Sequence, residues 1–217
     1  MGAEVLYRMS SRLKVVVVDY GVGNTHSVAN AVAFLGYAPS VTADPAALNR
    51  ADVLVLPGVG AFAPAMQTLR TSGLVDLLAE LVVVKRKPIL GICLGMQLMA
   101  EDSEENGHHV GLGWIPGHVR RLRVPSEYPV PQVGWNDVQL LQRDPLFNRT
   151  GDTPNFYFDH SYHFVCEPAF QAAVCDYAGP VTAAVQRDNV FGVQFHPEKS
   201  QASGLKLLRG FFVSVGG

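Results

Sequence analysis

The stretch Pro88-Ile-Leu-Gly-Ile-Cys-Leu-Gly-Met-Gln97 contains an apolar run followed by one cysteine between two glycines. The run at residues 88–92 has the length of a buried strand, and the residue spacing from Met96 onward predicts a helix. Gly-x-Cys-x-Gly at such a junction has the form of a nucleophile elbow, with sulfur in place of the serine oxygen. The positive end of the helix dipole favours thiolate there. Cys93 is therefore a candidate nucleophile, and the competing interpretation is a buried structural cysteine in a turn.

The first half of the chain alternates strand and helix patterns. Apolar runs at residues 14–20 and 52–57 predict central strands, and helical spacing follows at residues 25–35 and 74–87. This alternation predicts a parallel, doubly wound α/β sheet with helices on both faces. Sites in such sheets gather beyond the carboxyl ends of the strands, so we expect the glycine loop at residues 58–60 beside Cys93. The loop at residues 21–24 lacks the third glycine of a dinucleotide fingerprint, and we interpret it as a polar loop with Asn24 as a candidate donor.

The composition of the chain changes after residue 105. Gly and Pro recur between short strand patterns, which predicts mainly antiparallel hairpins added to the α/β core. No stretch reads as a linker, so we expect one domain at residues 14–217, preceded by an extension at residues 1–13. The extension has no long apolar core and no cleavage signature, so we do not expect a secretory signal.

Composition also argues against several functional classes. A net charge of −2 gives no basic field for nucleic acid, and the longest apolar runs are too short to cross a bilayer. The cysteines Cys93, Cys166 and Cys175 form no Cys-x-x-Cys pair, which argues against a disulfide framework or a zinc site. We therefore expect a cytoplasmic protein with no metal and no cofactor.

A second candidate group follows the last predicted strand, at residues 189–195. His196 and Glu198 are two residues apart, so an extended backbone places both on one side. A histidine beside a carboxylate can act as a base with its orienting partner. Taken alone, the pair is best interpreted as a surface contact at a turn. Together with the elbow at Cys93, the pair predicts a Cys93–His196–Glu198 triad.

From residue 14 to the C-terminus, the chain resembles the class I, triad-type glutamine amidotransferases. Gly91-Ile-Cys-Leu-Gly95 is similar to the nucleophile motif of that family, and His196-Pro-Glu198 is similar to its His-x-Glu motif. The resemblance is narrower to the glutaminase subunits of imidazole glycerol phosphate synthase, a histidine-biosynthesis enzyme. It implies a flavodoxin-like, mostly parallel sheet with an added antiparallel hairpin region. The segments that carry it are residues 19–24, 57–62, 93–97, 134–136, 156–162 and 192–200.

The resemblance implies a role for each matching residue. Cys93 would attack the side-chain amide of glutamine, His196 would transfer protons and Glu198 would orient His196. The backbone N–H groups of Gly60 and Leu94 would form the oxyanion hole. The residues implied to bind substrate are Gly58, Gln97, Glu105, Ser161 and Tyr162. Those implied to face the partner and gate ammonia are Asn24, Trp135, Asn136 and Tyr157.

The implied partner is a (β/α)8-barrel synthase subunit, which would form a heterodimer with this chain. Ammonia would pass through the barrel to a nucleotide intermediate, yielding imidazole glycerol phosphate and aminoimidazole carboxamide ribotide. Three positions depart from the family pattern: Asp159 stands where an apolar residue is usual, Gln132 stands where a histidine is common, and His163 follows Tyr162. None of them belongs to the triad, but Asp159 lies beside the partner-facing motif, so it bears on docking.

Three other interpretations stay open from the sequence. The chain could be a paralogous subunit that supplies ammonia for surface-sugar biosynthesis. It could be a non-catalytic amidotransferase-like subunit that only binds and regulates, against which the intact triad argues. It could also be a thiol hydrolase of another small amide, against which the resemblance at Gln97, Ser161 and Tyr162 argues.

Overall fold

A computed structural model describes residues 13–216, so most of the predicted extension at residues 1–13 lies outside the described residues. Strands and helices alternate through the first half of the chain. Their order is β1 (Val15–Val18), α1 (Thr25–Phe34), β2 (Ser40–Thr42), α2 (Pro45–Arg50), β3 (Val53–Gly58), α3 (Phe62–Thr71), α4 (Leu74–Ala79), a π-helical turn (Glu80–Val84), β4 (Ile89–Cys93) and α5 (Leu94–Gln97).

Strands dominate the second half, and a long helix closes it. The order is β5 (Asp102–Ser103), β6 (His109–Val110), β7 (His118–Arg121), β8 (Gln132–Leu140), β9 (Asn155–His160), β10 (Tyr162–Val165), a 3-10 turn (Pro168–Phe170), β11 (Gln171–Asp176), β12 (Pro180–Arg187), β13 (Val190–Val193), a second 3-10 turn (Pro197–Lys199) and α6 (Gln201–Val215).

Within residues 13–216, nine strands form one sheet in the order β2-β1-β3-β4-β13-β12-β11-β8-β9. Neighbours from β2 to β13 pair in parallel, and neighbours from β13 to β9 pair antiparallel. The predicted α/β sheet with added antiparallel strands is confirmed. Most of those added strands extend the parallel sheet itself, and the others form a second sheet in the order β10-β7-β5-β6.

The central strands are buried on both faces, which explains their unbroken apolar runs. In β1, Val15 and Val17 pack into the apolar cluster that includes residues of α1 and α6. Val16 and Val18 pack into the opposite cluster, which includes residues of α3 and α4. The sheet therefore carries helices on both faces, as predicted. No helix within residues 13–216 combines the length and apolar character needed to span a membrane.

The prediction of a helix continuing well beyond Met96 is wrong, because α5 ends at Gln97. The carbonyl groups of Leu98 and Ala100 accept hydrogen bonds from the N–H groups of Leu112 and Gly113, at 2.8 and 2.9 Å. A continuing α-helix would need those carbonyls for N–H groups four residues further on. Pairing with a later loop thus replaces the helix that local spacing favours.

The predicted helix at residues 74–87 ends early as well. After α4, the turn from Glu80 to Val84 is π-helical, and the Lys85 N–H donates to the Glu80 carbonyl at 2.9 Å. Beyond it, the Lys87 ammonium donates to the carbonyls of Leu48 and Asn49 at the end of α2, at 3.1 and 3.0 Å. Lys87 thus turns toward a neighbouring helix end, where a cation is favoured.

Candidate active site

Cys93 lies at the strand-to-helix elbow that the sequence predicts. It is the last residue of β4, with φ 54° and ψ −111°, and α5 begins at the next residue. A positive φ is strained for a residue with a β-carbon, and this strain is typical of a nucleophile elbow. The thiol thereby lies at the N-terminal end of α5, on the carboxyl edge of the parallel sheet.

The two glycines flanking Cys93 are required because backbone segments touch there. A Cβ at Gly91 would lie 2.7 Å from the carbonyl carbon of Gly95, and one at Gly95 would overlap the Leu56 carbonyl oxygen on β3. Gly58, also at the end of β3, is the register partner of Cys93, and a Cβ there would lie 2.9 Å from the Gly95 nitrogen. Gly58 therefore packs beneath the elbow.

His196 and Glu198 come from the turn that follows β13, the parallel neighbour of β4. His196 Nδ1 donates to Glu198 Oε1 at 2.8 Å, and both side chains are buried, 3% and 1% exposed. The turn is held by Ser200, whose hydroxyl donates to the His196 carbonyl at 2.6 Å and accepts from the Tyr157 N–H at 3.0 Å. These hydrogen bonds fix the imidazole ring and leave its Nε2 atom free to bond the Cys93 sulfur.

The electrostatics at His196 favour its charged form. Burial lowers the pKa of His196, but hydrogen bonds to Cys93 and Glu198 and the charges of both groups outweigh that effect and raise its pKa to about 10. The His196 ring is therefore charged at neutral pH and lies beside the Cys93 sulfur. Cysteine proteases and related hydrolases activate their nucleophile in this way.

A cavity of about 290 Å³ opens over the sulfur. It brings together most of the residues that the sequence assigns to catalysis and substrate. Those that line it are Gly60, Cys93, Leu94, Gln97, Glu105, Ser161, Tyr162 and His196. Gly58 and Glu198 lie behind this lining, the first beneath the elbow and the second behind His196. No group of three or more His, Cys, Asp or Glu side chains within residues 13–216 is arranged to hold a metal ion.

Two lining residues also connect the walls of the cavity. Gln97 Nε2 donates to the Tyr162 carbonyl at 2.7 Å and to Gln194 Oε1 at 3.0 Å. Glu105 Oε2 accepts the N–H of Phe62, the first residue of α3, at 2.7 Å. A carboxylate at a helix N-terminus is stabilised by the dipole, so Glu105 fixes the helix that follows the Gly60 loop.

The cavity also contains residues to which the sequence assigns no role. His160 is buried, and its Nδ1 donates to the Tyr162 carbonyl at 2.9 Å. Burial lowers its pKa to about 4, with the neighbouring charges of His163 and His196 adding to that effect, so the ring is neutral at pH 7. Alternation along β9, with Phe156, Phe158 and His160 buried, could have indicated it. Lys199 lines the same cavity, and so does Asp159, which the sequence places beside the partner-facing motif.

The residues assigned to the partner lie mainly on β8 and β9, at the edge of the large sheet. Trp135 and Tyr157 are register partners, with ring centroids 6.0 Å apart in an edge-to-face contact, and Trp135 is 44% exposed. The Lys199 ammonium lies 5.6 Å from the Tyr157 ring centroid. Asn136 accepts from Gln132 at 2.8 Å. Asn24 lies apart from them in sequence, at the N-terminus of α1.

Comparison with protein families gives a match over nearly the whole chain. A model described as "Glutamine amidotransferase class-I" matches residues 16–215. The chain is 48% identical over 200 residues to imidazole glycerol phosphate synthase subunit HisH 2 of Vibrio vulnificus (strain YJ016), covering 92% of this chain and 94% of that protein. It is also 48% identical over 210 residues to imidazole glycerol phosphate synthase subunit HisH of Synechococcus elongatus, covering 95% and 96%.

Solved structures show the same fold. A crystal structure of a glutamine amidotransferase matches with a TM-score of 0.73 at 19% identity, covering 94% of this chain and 99% of that one. The structure of PurLQS from Thermotoga maritima matches with a TM-score of 0.70 at 19% identity, covering 93% of this chain and 98% of that one. At these identities the matches show the fold alone.

Proposed function

Because this chain belongs to the class-I glutamine amidotransferase family, we propose that it is the glutaminase subunit of an imidazole glycerol phosphate synthase, which hydrolyses L-glutamine to glutamate and ammonia. The observation that carries the proposal is the convergence of Cys93, His196 and Glu198 at one cavity, with His196 bonded to Glu198 at 2.8 Å. The Vibrio and Synechococcus relatives are synthase subunits that match over almost their whole length, so the narrower assignment is favoured over a generic amidotransferase.

The geometry supports a two-step reaction through a thioester. The Cys93 thiolate attacks the side-chain carbonyl carbon of glutamine, and the C–N bond of the resulting tetrahedral intermediate breaks. The His196 imidazolium gives its proton to the departing nitrogen, which leaves as ammonia. His196, now neutral, then takes a proton from water as that water attacks the thioester. The C–S bond of the second tetrahedral intermediate then breaks, which releases glutamate and regenerates the Cys93 thiolate beside the protonated His196.

Each tetrahedral intermediate carries a negative oxygen that needs donors. The Leu94 N–H is the first of α5 and has no partner within that helix, so it is free to face the oxyanion. Gly60 lines the cavity with φ +95°, a conformation that favours glycine, and its N–H is the second proposed donor. Glu105, Ser161, Tyr162 and Gln97 line the same cavity and are proposed to hold the amino and carboxylate groups of the substrate.

We propose that the partner, a (β/α)8-barrel synthase subunit, docks on the edge formed by β8 and β9 in a heterodimer. Trp135 is exposed there and packs edge-to-face on the partly buried Tyr157, and aromatic residues dominate binding energy at protein interfaces. Free ammonia is protonated at neutral pH and loses its nucleophilicity, so direct delivery into the barrel protects it. The partner would then receive ammonia from the cavity beside this edge.

The test is a glutaminase assay on the purified chain, with and without a barrel synthase subunit and its nucleotide ligand. We expect glutamate release to rise at least ~10-fold with the liganded partner, the coupling typical of linked sites. Cys93→Ala should abolish release, whereas Cys166→Ala, a matched change at a cysteine outside the cavity, should not. Persistent activity in Cys93→Ala would refute the mechanism. Activity indifferent to the partner would favour the paralogous, surface-sugar subunit.

A further inference from the structure

Gln194 occupies a buried position beside the nucleophile. It follows β13 directly, and the register of that strand pairs Val193 with Ile92, the residue before Cys93. The side chain of Gln194 is 0% exposed, and its Nε2 lies 3.7 Å from Cys93 Sγ, within hydrogen-bond range for sulfur. A buried amide must satisfy its polar atoms, so the contact has an energetic reason.

The direction of the Gln194 amide is fixed by a chain of hydrogen bonds. The Tyr162 carbonyl can only accept, so the Gln97 atom 2.7 Å from it is the nitrogen. The same nitrogen lies 3.0 Å from one polar atom of Gln194, and a donor requires an acceptor there, so that atom is Oε1. The remaining atom of Gln194, which faces Cys93, is the nitrogen. A flipped amide would break this chain.

We propose that Gln194 donates a hydrogen bond to the Cys93 sulfur and stabilises its thiolate form, so that it extends the reactivity of the nucleophile to lower pH. A hydrogen bond to the charged form of a group favours that form. The proposal rests on the proposed function in one respect, because it takes Cys93 as the nucleophile. The proposal assigns Gln97 a second role, which is to orient the Gln194 amide.

Other titratable groups surround the sulfur and also act on its charge. His196 approaches from the turn after β13, with Glu198 behind it, and its raised pKa keeps it charged. Tyr20 approaches from the end of β1, and burial, with the Cys93 charge, raises its pKa, so it stays neutral. The charged Glu105 and Lys199 and the neutral His160 line the same cavity. Substitutions at Gln194 leave all of these groups in place.

The experiment measures the rate of Cys93 alkylation by iodoacetamide from about pH 4 to about pH 9, a range that covers most of the pKa values of activated cysteines. Peptide mass spectrometry separates Cys93 from Cys166 and Cys175. Burial raises the pKa of each of those two thiols to about 11, so neither competes in this range. Alkylation requires no glutamine turnover, so failure of this proposal is distinguishable from failure of the proposed function.

Gln194→Met keeps a side chain of similar length and removes the donor. We expect the pH of half-maximal alkylation to rise by about 1 unit, which lowers the rate on the acid limb ~10-fold. Gln194→Glu replaces the donor with an acceptor and should raise the pH of half-maximal alkylation further. The matched control is Gln171→Met, because Gln171 is a partly buried glutamine that donates to Thr182 at 3.1 Å and does not line the cavity.

An unchanged alkylation profile in a folded Gln194→Met variant would overturn the proposal, as would an equal shift in Gln171→Met. If Gln194→Met fails to fold, as circular dichroism would show, Gln97→Met supplies the test. It leaves Gln194 in place but removes the donor that fixes its direction, together with the Gln97 hydrogen bond to the Tyr162 carbonyl, so a smaller upward shift is expected. No shift in that variant would then count against the proposal. Glutamine turnover that falls in proportion to the thiolate fraction would link the two observations.

Discussion

Replacing Gly95 with alanine tests whether the elbow depends on close backbone contact. The Cβ of an alanine there would overlap the Leu56 carbonyl oxygen and lie 2.8 Å from the Leu56 carbonyl carbon, both backbone atoms of β3. A further contact, to the carbonyl carbon of Pro57, would be 3.4 Å. No flexible side chain is available to move aside, and β3 is a buried central strand. The α5 turn would therefore have to move away from β3.

The expected cost follows from that displacement. Overpacking of this kind destabilises a protein by about 2 kcal/mol. For a chain of 217 residues, this lowers the Tm by about 4–8 °C. Moving α5 by on the order of 1 Å shifts both the Cys93 sulfur and the Leu94 N–H, and a misplacement of that size costs about 100-fold in rate. We expect activity to suffer far more than stability.

The assay compares kcat for glutamine hydrolysis, measured with the barrel synthase subunit present, with the Tm of the purified chain alone from circular dichroism. Gly151→Ala is the matched control, because a Cβ at Gly151 would meet nothing within 4 Å and its φ does not require glycine. That variant should match the parent or be slightly more stable, since alanine restricts the unfolded chain. If Gly95→Ala kept the parental kcat and Tm, the reasoning from backbone contact would be refuted.

Three further predictions address the orienting carboxylate, a buried histidine and the partner edge. Glu198→Gln should lower the glutaminase kcat ~1000-fold with little change in KM, because the amide no longer supports the charged imidazole; an intact kcat would show that His196 needs no orienting charge. The folded-state pKa of His160, about 4, lies below its ordinary value of 6.5, so the unfolded chain binds more protons between those values and stability falls as pH drops through that window. In urea unfolding, the free energy of unfolding should therefore fall by about 3 kcal/mol less in His160→Gln than in the parent as the pH drops through that window. An equal fall in both proteins would contradict the burial argument. Trp135→Ala should weaken binding of the barrel subunit ~30-fold by calorimetry, whereas Phe34→Ala, at an exposed aromatic on α1, should leave the affinity unchanged.

The sequence predicts the parts of this protein that depend on local spacing. The glycines around Cys93 predict the elbow, and the structure confirms a strand that ends at Cys93 with positive φ. The alternation of β1 to β4 with helices likewise predicts the parallel sheet. Family membership follows from motifs in order, and the comparisons confirm it. The assignments of individual substrate and partner residues stay predictions.

What the sequence does not predict depends on contacts between distant segments. The early end of α5 is set by N–H groups of Leu112 and Gly113, which no local pattern reveals. The strand β8 begins at Gln132 and includes exposed apolar side chains such as Val133, and its pairing with β9 holds that part of the chain in the sheet. The alternation of side chains along an extended chain is enough to indicate Gln194, because a residue two positions before His196 lies on the same side of the chain. The contact between Gln194 and the Cys93 sulfur joins residues 101 positions apart in the sequence, so no local pattern indicates it.

The structure divides the site between two sheets, and the division bears on how a partner could control it. Cys93 and His196 follow parallel neighbours of the large sheet, whereas Tyr162 opens β10 of the small sheet. The edge strand β9 touches both parts: the carbonyl of Tyr157 accepts the His196 N–H at 2.9 Å, and the strand leads through Ser161 into β10. A partner docked on Trp135 and Tyr157 would thus contact a strand that is bonded to His196 and continues through Ser161 into β10. A small movement of β9 would therefore reach both halves of the site, because β9 is bonded to His196 and leads directly into β10.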